Sequence, residues 1–173
     1  MITALKLLVV LVAGLLVMLL VAGQLGLLRG RPPTQLGVRD GRLNPPATTP
    51  NSVSSQAGLY PGHPQRSQAE VAPLSYTGDG RAALLRLAAL METSERCVLV
   101  TREPGYLYAQ CSTLLLKFTD DVEFYLDEAA GVIQVRSASR LGQKDFGVNR
   151  ARVEALRARF QQGGTAPGVL YNQ

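Results

Sequence analysis

The chain has 173 residues, 46% of them hydrophobic, with two cysteines, one histidine and no tryptophan. That length gives room for one globular domain of ordinary size, while so few cysteine and histidine residues exclude a spaced zinc-ligand set and a disulfide-dense scaffold. The formal charge of +5 suggests nucleic acid until it is located: residues 1–76 carry six Lys/Arg against two Asp/Glu, and residues 77–173 carry twelve against eleven, so with no reader motif in the second part no nucleic-acid partner is expected.

After a short N-terminal segment at 1–6, residues 7–28 ("LLVVLVAGLLVMLLVAGQLGLL") hold no charge and one polar side chain, Gln24. At about 1.5 Å per residue, such a helix crosses a hydrocarbon core of roughly 30 Å. A signal sequence is the competing reading, because "VAG" at 21–23 has the character of a cleavage site. The apolar run continues past it to Leu28, which favours an uncleaved, single-pass transmembrane anchor. Arg29, Arg31, Arg39 and Arg42 follow the helix and, by the positive-inside rule, pull the rest of the chain towards the cytoplasm. The same basic stretch suits anionic lipid head groups, at about 1 kcal/mol per side chain near a charged surface.

Residues 29–76 hold eight of the ten prolines, with many Ser, Thr, Gly and Gln. No sustained period runs through them, and they read as a Pro-rich tether with local turns. The folded domain is expected over 77–160. It opens on an amphipathic helix in which Leu84, Leu87, Ala88 and Met91 recur at helical spacing behind a Thr77/Asp79 cap. Four strand-like runs follow, "RCVLVTR", "YLYAQCSTLLLKF", "VEFYLD" and "VIQVRSA", separated by "EPG", "TDD" and "EAAG". Short antiparallel connections suffice between them. Matching the apolar faces of the last hairpin pairs Phe124 with Val135, and therefore Glu123 with Arg136. A second helix is expected after Asp145, with a stripe of Asn149, Val153, Leu156 and Phe160, and with Arg150, Arg152, Arg157 and Arg159 directed largely elsewhere. Residues 161–173 read as a flexible tail. The order α-β-β-β-β-α predicts an α+β, two-layer domain: a four-stranded antiparallel sheet with helices on one face.

The two cysteines fall in the first hairpin. If Arg102 faces Tyr106 across "EPG", the same register sets Cys97 opposite Cys111. A cross-strand disulfide is one reading; a pair of small buried thiols is the other. An oxidised pair would place the domain in the periplasm.

The segment "RSASRLGQKDFGVNR" is the candidate binding site. Arg136, Arg140, Lys144 and Arg150 surround Gly142 and the start of the second helix, with Ser137 and Ser139 as hydroxyl donors, a set that suits a phosphate, sulfate or carboxylate. The competing reading is internal neutralisation. Residues 92–128 hold eight acidic and three basic side chains, and residues 134–160 hold seven basic and two acidic. On that reading Glu123 pairs with Arg136, Asp120 or Asp121 pairs with Arg140, and Asp145 caps the helix.

The inventory argues against an enzyme. His63, the single histidine, lies in the tether, away from any serine or cysteine nucleophile in the domain. A Ser137 or Ser139 dyad with Lys144 needs a deprotonated lysine, and nothing signals the apolar pocket that would supply one. "DFG" at 145–147 lacks the other parts of a kinase and reads as a helix cap. Asp120, Asp121 and Glu123 offer oxygen ligands but not a coordination sphere. No cofactor and no metal are expected.

The pattern "GVRDGRL…PNSVSSQA…DDVEF…IQVRSASRLGQKDFGVNRARVE" resembles domain of unknown function family 1499, over about residues 36–160. The resemblance implies a small soluble domain, often exported and attached to a membrane by a lipid or a helix. Where members usually carry two linker cysteines, this chain has Pro46 and Ser52. Where lipoprotein relatives carry a cysteine after a sequence like "LVAG", it has Gln24, so the helix itself must be the anchor.

Together these observations predict a single-pass bacterial inner-membrane protein. The resemblance draws its domain to the periplasm, against the pull of the flanking arginines. The leading expectation is a non-enzymatic envelope domain that binds an anionic small molecule, a lipid or a protein partner near the "RSASR" turn. The rival is a structural or assembly protein whose arginines are internal ion pairs, and whose uncovered sheet face, at Tyr106, Tyr108, Tyr125 and Gln134, meets an envelope protein. A hydrolase or transferase is the weaker third.

Overall fold

A computed structural model describes residues 2–164 of the chain. The apolar helix α1 (Ile2–Gln24) comes first. Its side chains from Leu5 to Val21 are exposed around the helix, and by length and composition it meets the requirement for a membrane span or a signal sequence. It begins earlier than the apolar run at 7–28, and it ends earlier because the chain turns at Gly26, whose φ is +77°.

The rest is α+β. An antiparallel sheet runs in the order β1 (Ser52–Ser54), β6 (Val132–Ser139), β5 (Thr119–Asp127), β4 (Tyr106–Ser112) and β3 (Cys97–Glu103), and β2 (Leu74–Ser75) pairs with β6 beside β1. The sheet therefore has six strands rather than the four expected from the sequence. The two extra strands come from the proline-rich segment, which is not a free tether. Leu43, Val53, Ala57, Ala69, Val71 and Leu74 are all buried, and the segment includes a short helix, α2 (Arg66–Ala69). Each extra strand is only two or three residues long, too short for any period to register in the sequence.

Two longer helices cover one face. In α3 (Gly80–Glu92) Leu84, Leu87, Ala88 and Met91 are buried, as their spacing predicts, and the Asp79 carboxylate caps the helix by accepting from the Ala82 N–H at 2.7 Å. In α4 (Val148–Gly164) Val153, Leu156 and Phe160 join the same core. They meet Leu107, Val122, Phe124, Leu126, Ile133 and Val135 from the sheet. Part of the tail expected at 161–173 is the last turn of α4; residues 165–173 lie outside the described residues.

Register follows the apolar faces. Phe124 pairs with Val135 and Glu123 with Arg136, as alternation in β5 and β6 requires. The first hairpin differs at its turn: Glu103, not Arg102, faces Tyr106, and a bulge between Leu99 and Thr101 restores the register that sets Cys97 opposite Cys111. These two cysteines are joined, with S–S at 2.02 Å.

The other sheet face is also covered, which corrects the expectation of an open partner surface. Leu36, Val38 and Leu43 cross it and pack on Tyr106, Tyr108 and Tyr125. Tyr106 and Tyr108 are buried as a result. Gln134 on this face is engaged too, accepting from the Ser55 hydroxyl at 2.7 Å and donating to Asp127 at 3.1 Å.

Candidate functional site

Side chains alternate across a strand, and that rule divides the "RSASR" residues. Arg136 and Arg140 lie on the tyrosine-bearing face of the sheet. Ser137 and Ser139 lie on the helix-bearing face. They do not converge on one ligand.

Each arginine already has a carboxylate. Arg136 Nη1 lies 3.3 Å from Glu123 Oε2, and Glu123 is 0% exposed. The other Glu123 oxygen accepts from the Tyr106 hydroxyl and the Gly37 N–H, each at 2.9 Å. Burial, reinforced by that carboxylate, holds the Tyr106 phenol far above its ordinary pKa. Arg140 grips Asp121 through Nε and Nη2, at 2.9 and 2.7 Å, and also donates to Tyr108 Oη at 3.0 Å. The bond to Asp121 outweighs burial and raises the Arg140 pKa, so the guanidinium stays charged.

The third pair is one that sequence reasoning missed. Asp120 sits on the helix-bearing face and is held by Arg152 of α4. Arg152 also donates to Asn149 Oδ1 at 2.8 Å and to Ser137 Oγ at 3.1 Å. Asn149 is fully buried and is the hub of this network. Its Nδ2 donates to the Asn51 carbonyl, to Ser139 Oγ and to Asp145 Oδ2, at 3.1, 2.9 and 2.9 Å. Asn51 in turn donates to the Gly142 carbonyl at 2.7 Å. The visible signal was an asparagine in the apolar stripe of a helix, because a buried amide must find partners for both its oxygen and its nitrogen.

Asp145 caps α4 as expected, accepting from the Asn149 N–H at 2.9 Å and the Gly147 N–H at 3.0 Å. Burial raises its pKa, but these bonds together outweigh burial and leave it below the usual aspartate value. Arg150 reaches the Gln68 carbonyl at 2.8 Å, and Lys144 is exposed in the loop before the helix. Asp120 points to one face of the sheet and Asp121 and Glu123 to the other, so the three acids form no shared cation site. Among the described residues no group of three or more His, Cys, Asp or Glu is placed to hold a metal. His63 lies between two turns ahead of α2 and accepts from the Gln65 N–H at 3.2 Å.

A concavity lies elsewhere. A cleft of about 600 Å³ opens between the end of α3 and the start of α4, over the sheet. Met91, Val122, Val153 and Leu156 form an apolar floor beside the Cys97–Cys111 bond, and Arg96, Arg152 and Arg159 stand around it. Arg159 spans the rim, donating to Ser94 Oγ at 3.1 Å. Glu95 is the one acidic lining residue, and its contact with Arg96 is long, at 3.8 Å, and largely exposed. An apolar floor with cations at the mouth suits an elongated molecule with an anionic end.

One family model, described as protein of unknown function (DUF1499), matches residues 42–160. The matched stretch begins ahead of β1, so it takes in the packed proline-rich strands as well as the later domain. No curated protein and no solved structure matches the chain.

Proposed function

The chain belongs to this family of proteins of unknown function, and from its own geometry we propose a membrane-anchored, non-catalytic envelope domain that binds an anionic amphiphile in the cleft between α3 and α4. The observation that carries this reading is the cleft itself: an apolar floor rimmed by Arg96 and Arg159. The "RSASR" arginines are not part of it, since both hold buried carboxylates. Binding rather than catalysis is favoured because the residues lining the cleft include no histidine, and its cysteines are tied to each other. The anchor reading draws on α1, and placement in the periplasm draws on the disulfide, which persists in oxidising compartments.

The test uses the full chain in nanodiscs of phosphatidylcholine and the fluorescent probe dansyl-undecanoic acid, corrected for empty nanodiscs. Saturable binding that is lost in Arg159→Glu and in Ala155→Trp, and kept in the remote Arg81→Glu, supports the cleft. Equal binding by all four proteins removes it.

One observation favours assembly as a second reading. β3 is an edge strand, and its Val98 and Val100 are exposed beside unpaired backbone. Concentration-dependent mass in sedimentation, abolished by Val98→Lys, would support strand pairing with another chain.

A further inference from the structure

We propose that the end of the domain where α1 arrives is a bilayer-docking face, and that its occupant is the anionic leaflet around α1; this rests on the reading of α1 as a membrane anchor. The face is fixed to the helix by direct contact. Gln24 Nε2 donates to the Leu115 carbonyl at 3.0 Å. Gly23 is buried so tightly that a Cβ there would stand 2.7 Å from the Leu116 oxygen. Further on, Gly30 runs against Arg140 and Leu141, where a Cβ would again meet an atom at 2.7 Å. The loop between β4 and β5 and the loop before α4 therefore lie where α1 ends.

Exposed apolar side chains collect at this end. Beyond α1, eleven large hydrophobic residues are exposed among the described residues, and seven of them fall in the segments 25–27, 114–115 and 141–148. Phe146 is the extreme case, 94% exposed. Its φ of +52° is an uncommon conformation for an aromatic residue, and it holds the ring outside the fold. The segments that meet at this end carry Arg29, Arg31, Arg96, Lys117 and Lys144 and the acids Glu95, Asp120 and Asp145, and Asp120 is held by Arg152. Asp145 is further engaged by the α4 cap.

Apolar tips on segments that also carry lysine and arginine suit the interface of an anionic bilayer, where the rings and aliphatic chains enter the head-group layer and the cations meet phosphates. A second copy of the chain would bring like charges together. The face is also continuous with α1, which is exposed all around and needs an apolar surround of its own. The cleft shares Val148, Arg96 and Ser112 with this end, so docking sets its mouth at head-group level, open to amphiphiles of the same leaflet.

The absence of tryptophan makes the test direct. The full chain is reconstituted in vesicles of phosphatidylglycerol and phosphatidylcholine brominated on the acyl chains, as three single-tryptophan variants: Phe146→Trp on the face, Val98→Trp on the edge strand and Val12→Trp within α1. The expected result is blue-shifted, quenched emission from Phe146→Trp and Val12→Trp, with Val98→Trp unquenched. Quenching of Val12→Trp alone overturns the docking face and leaves the anchor standing. No quenching at either position overturns both. A blue shift in Phe146→Trp that grows with protein concentration and ignores brominated lipid identifies a protein contact instead, and also overturns docking. Replacing phosphatidylglycerol with phosphatidylcholine should weaken quenching of Phe146→Trp and spare Val12→Trp; indifference to lipid charge overturns the anionic leaflet as occupant.

Discussion

Asn149 donates its side-chain amide to the backbone carbonyl of Asn51, 98 residues earlier in the chain, at 3.1 Å. That bond fastens α4 to the segment entering β1, and the Ser137 and Ser139 hydroxyls make the same side chain a link to β6. Replacing Asn149 with Ala orphans several of these groups inside the fold. Each buried polar group left without a partner costs about 1–3 kcal/mol. The expected outcome is a marked loss of stability in urea denaturation of the full chain. A variant as stable as the parent would mean that water or neighbouring groups satisfy the network without Asn149.

Arg140 separates a ligand site from a scaffold. Its guanidinium and the Asp121 carboxylate are both nearly inaccessible, at 5% and 4% exposure. Arg140→Ala leaves a buried carboxylate unpaired, a change that costs about 3–5 kcal/mol. Arg140→Met combined with Asp121→Leu removes both charges and should recover much of that loss, since a well-packed apolar pair can replace a buried ion pair. Arg140→Ala with an unchanged melting temperature would contradict the scaffolding role.

These two residues also mark how far the sequence could be read. Alternation along β5 and β6 gave the register of their hairpin and the Glu123–Arg136 pair, because one face must be apolar and a slip of one residue would bury the wrong set. The stripes of α3 and α4 were legible for the same kind of reason. The Asp120–Arg152 pair was not, since it depends on how α4 lies across the sheet, which no local spacing encodes. β1 escaped notice because "SVS" is short and polar, and its serines are buried by distant partners, β6 on one side and, for Ser54, a bridge to Glu70 on the other. The strap at 36–43 escaped because its three apolar residues, Leu36, Val38 and Leu43, have no regular period. The arginines were visible from the start, and alternation fixes the face of Arg136 through its pairing with Glu123, but whether a ligand or a carboxylate met it there was not legible.

Asp145 supplies a pH dependence of definite sign. Its folded-state pKa lies below the ordinary value of 3.8, burial notwithstanding, because it accepts bonds from Asn149 and Gly147. A depressed carboxyl pKa contributes stability that is full above the unfolded-state value and is lost as pH falls through the folded-state value. The stabilisation therefore disappears on the acid side, from the ordinary aspartate range downwards. Asp145→Asn, which stays neutral throughout, should lower stability near neutral pH and flatten the acid limb of the profile. Parallel acid limbs in thermal melts of the two proteins would show that other carboxylates carry it.

The Cys97–Cys111 bond closes a short loop, with a sequence separation of 14. Chain entropy alone assigns about 3 kcal/mol to a loop of roughly 15 residues. Its local importance is larger than that figure suggests, because β3 is the edge strand and Val98 and Val100 face solvent, so little apolar burial holds that strand in place. Reduction should therefore loosen β3 before the rest of the sheet, seen as faster hydrogen exchange at residues 97–103 than across β5 and β6. It should also open the wall of the cleft that this bond lines. Intact mass of the protein from its native cells, before and after thiol reduction, comes first. A gain of two hydrogens on reduction establishes the bond in the cell, and an unchanged mass removes both the loop-closure argument and the support for an oxidising compartment.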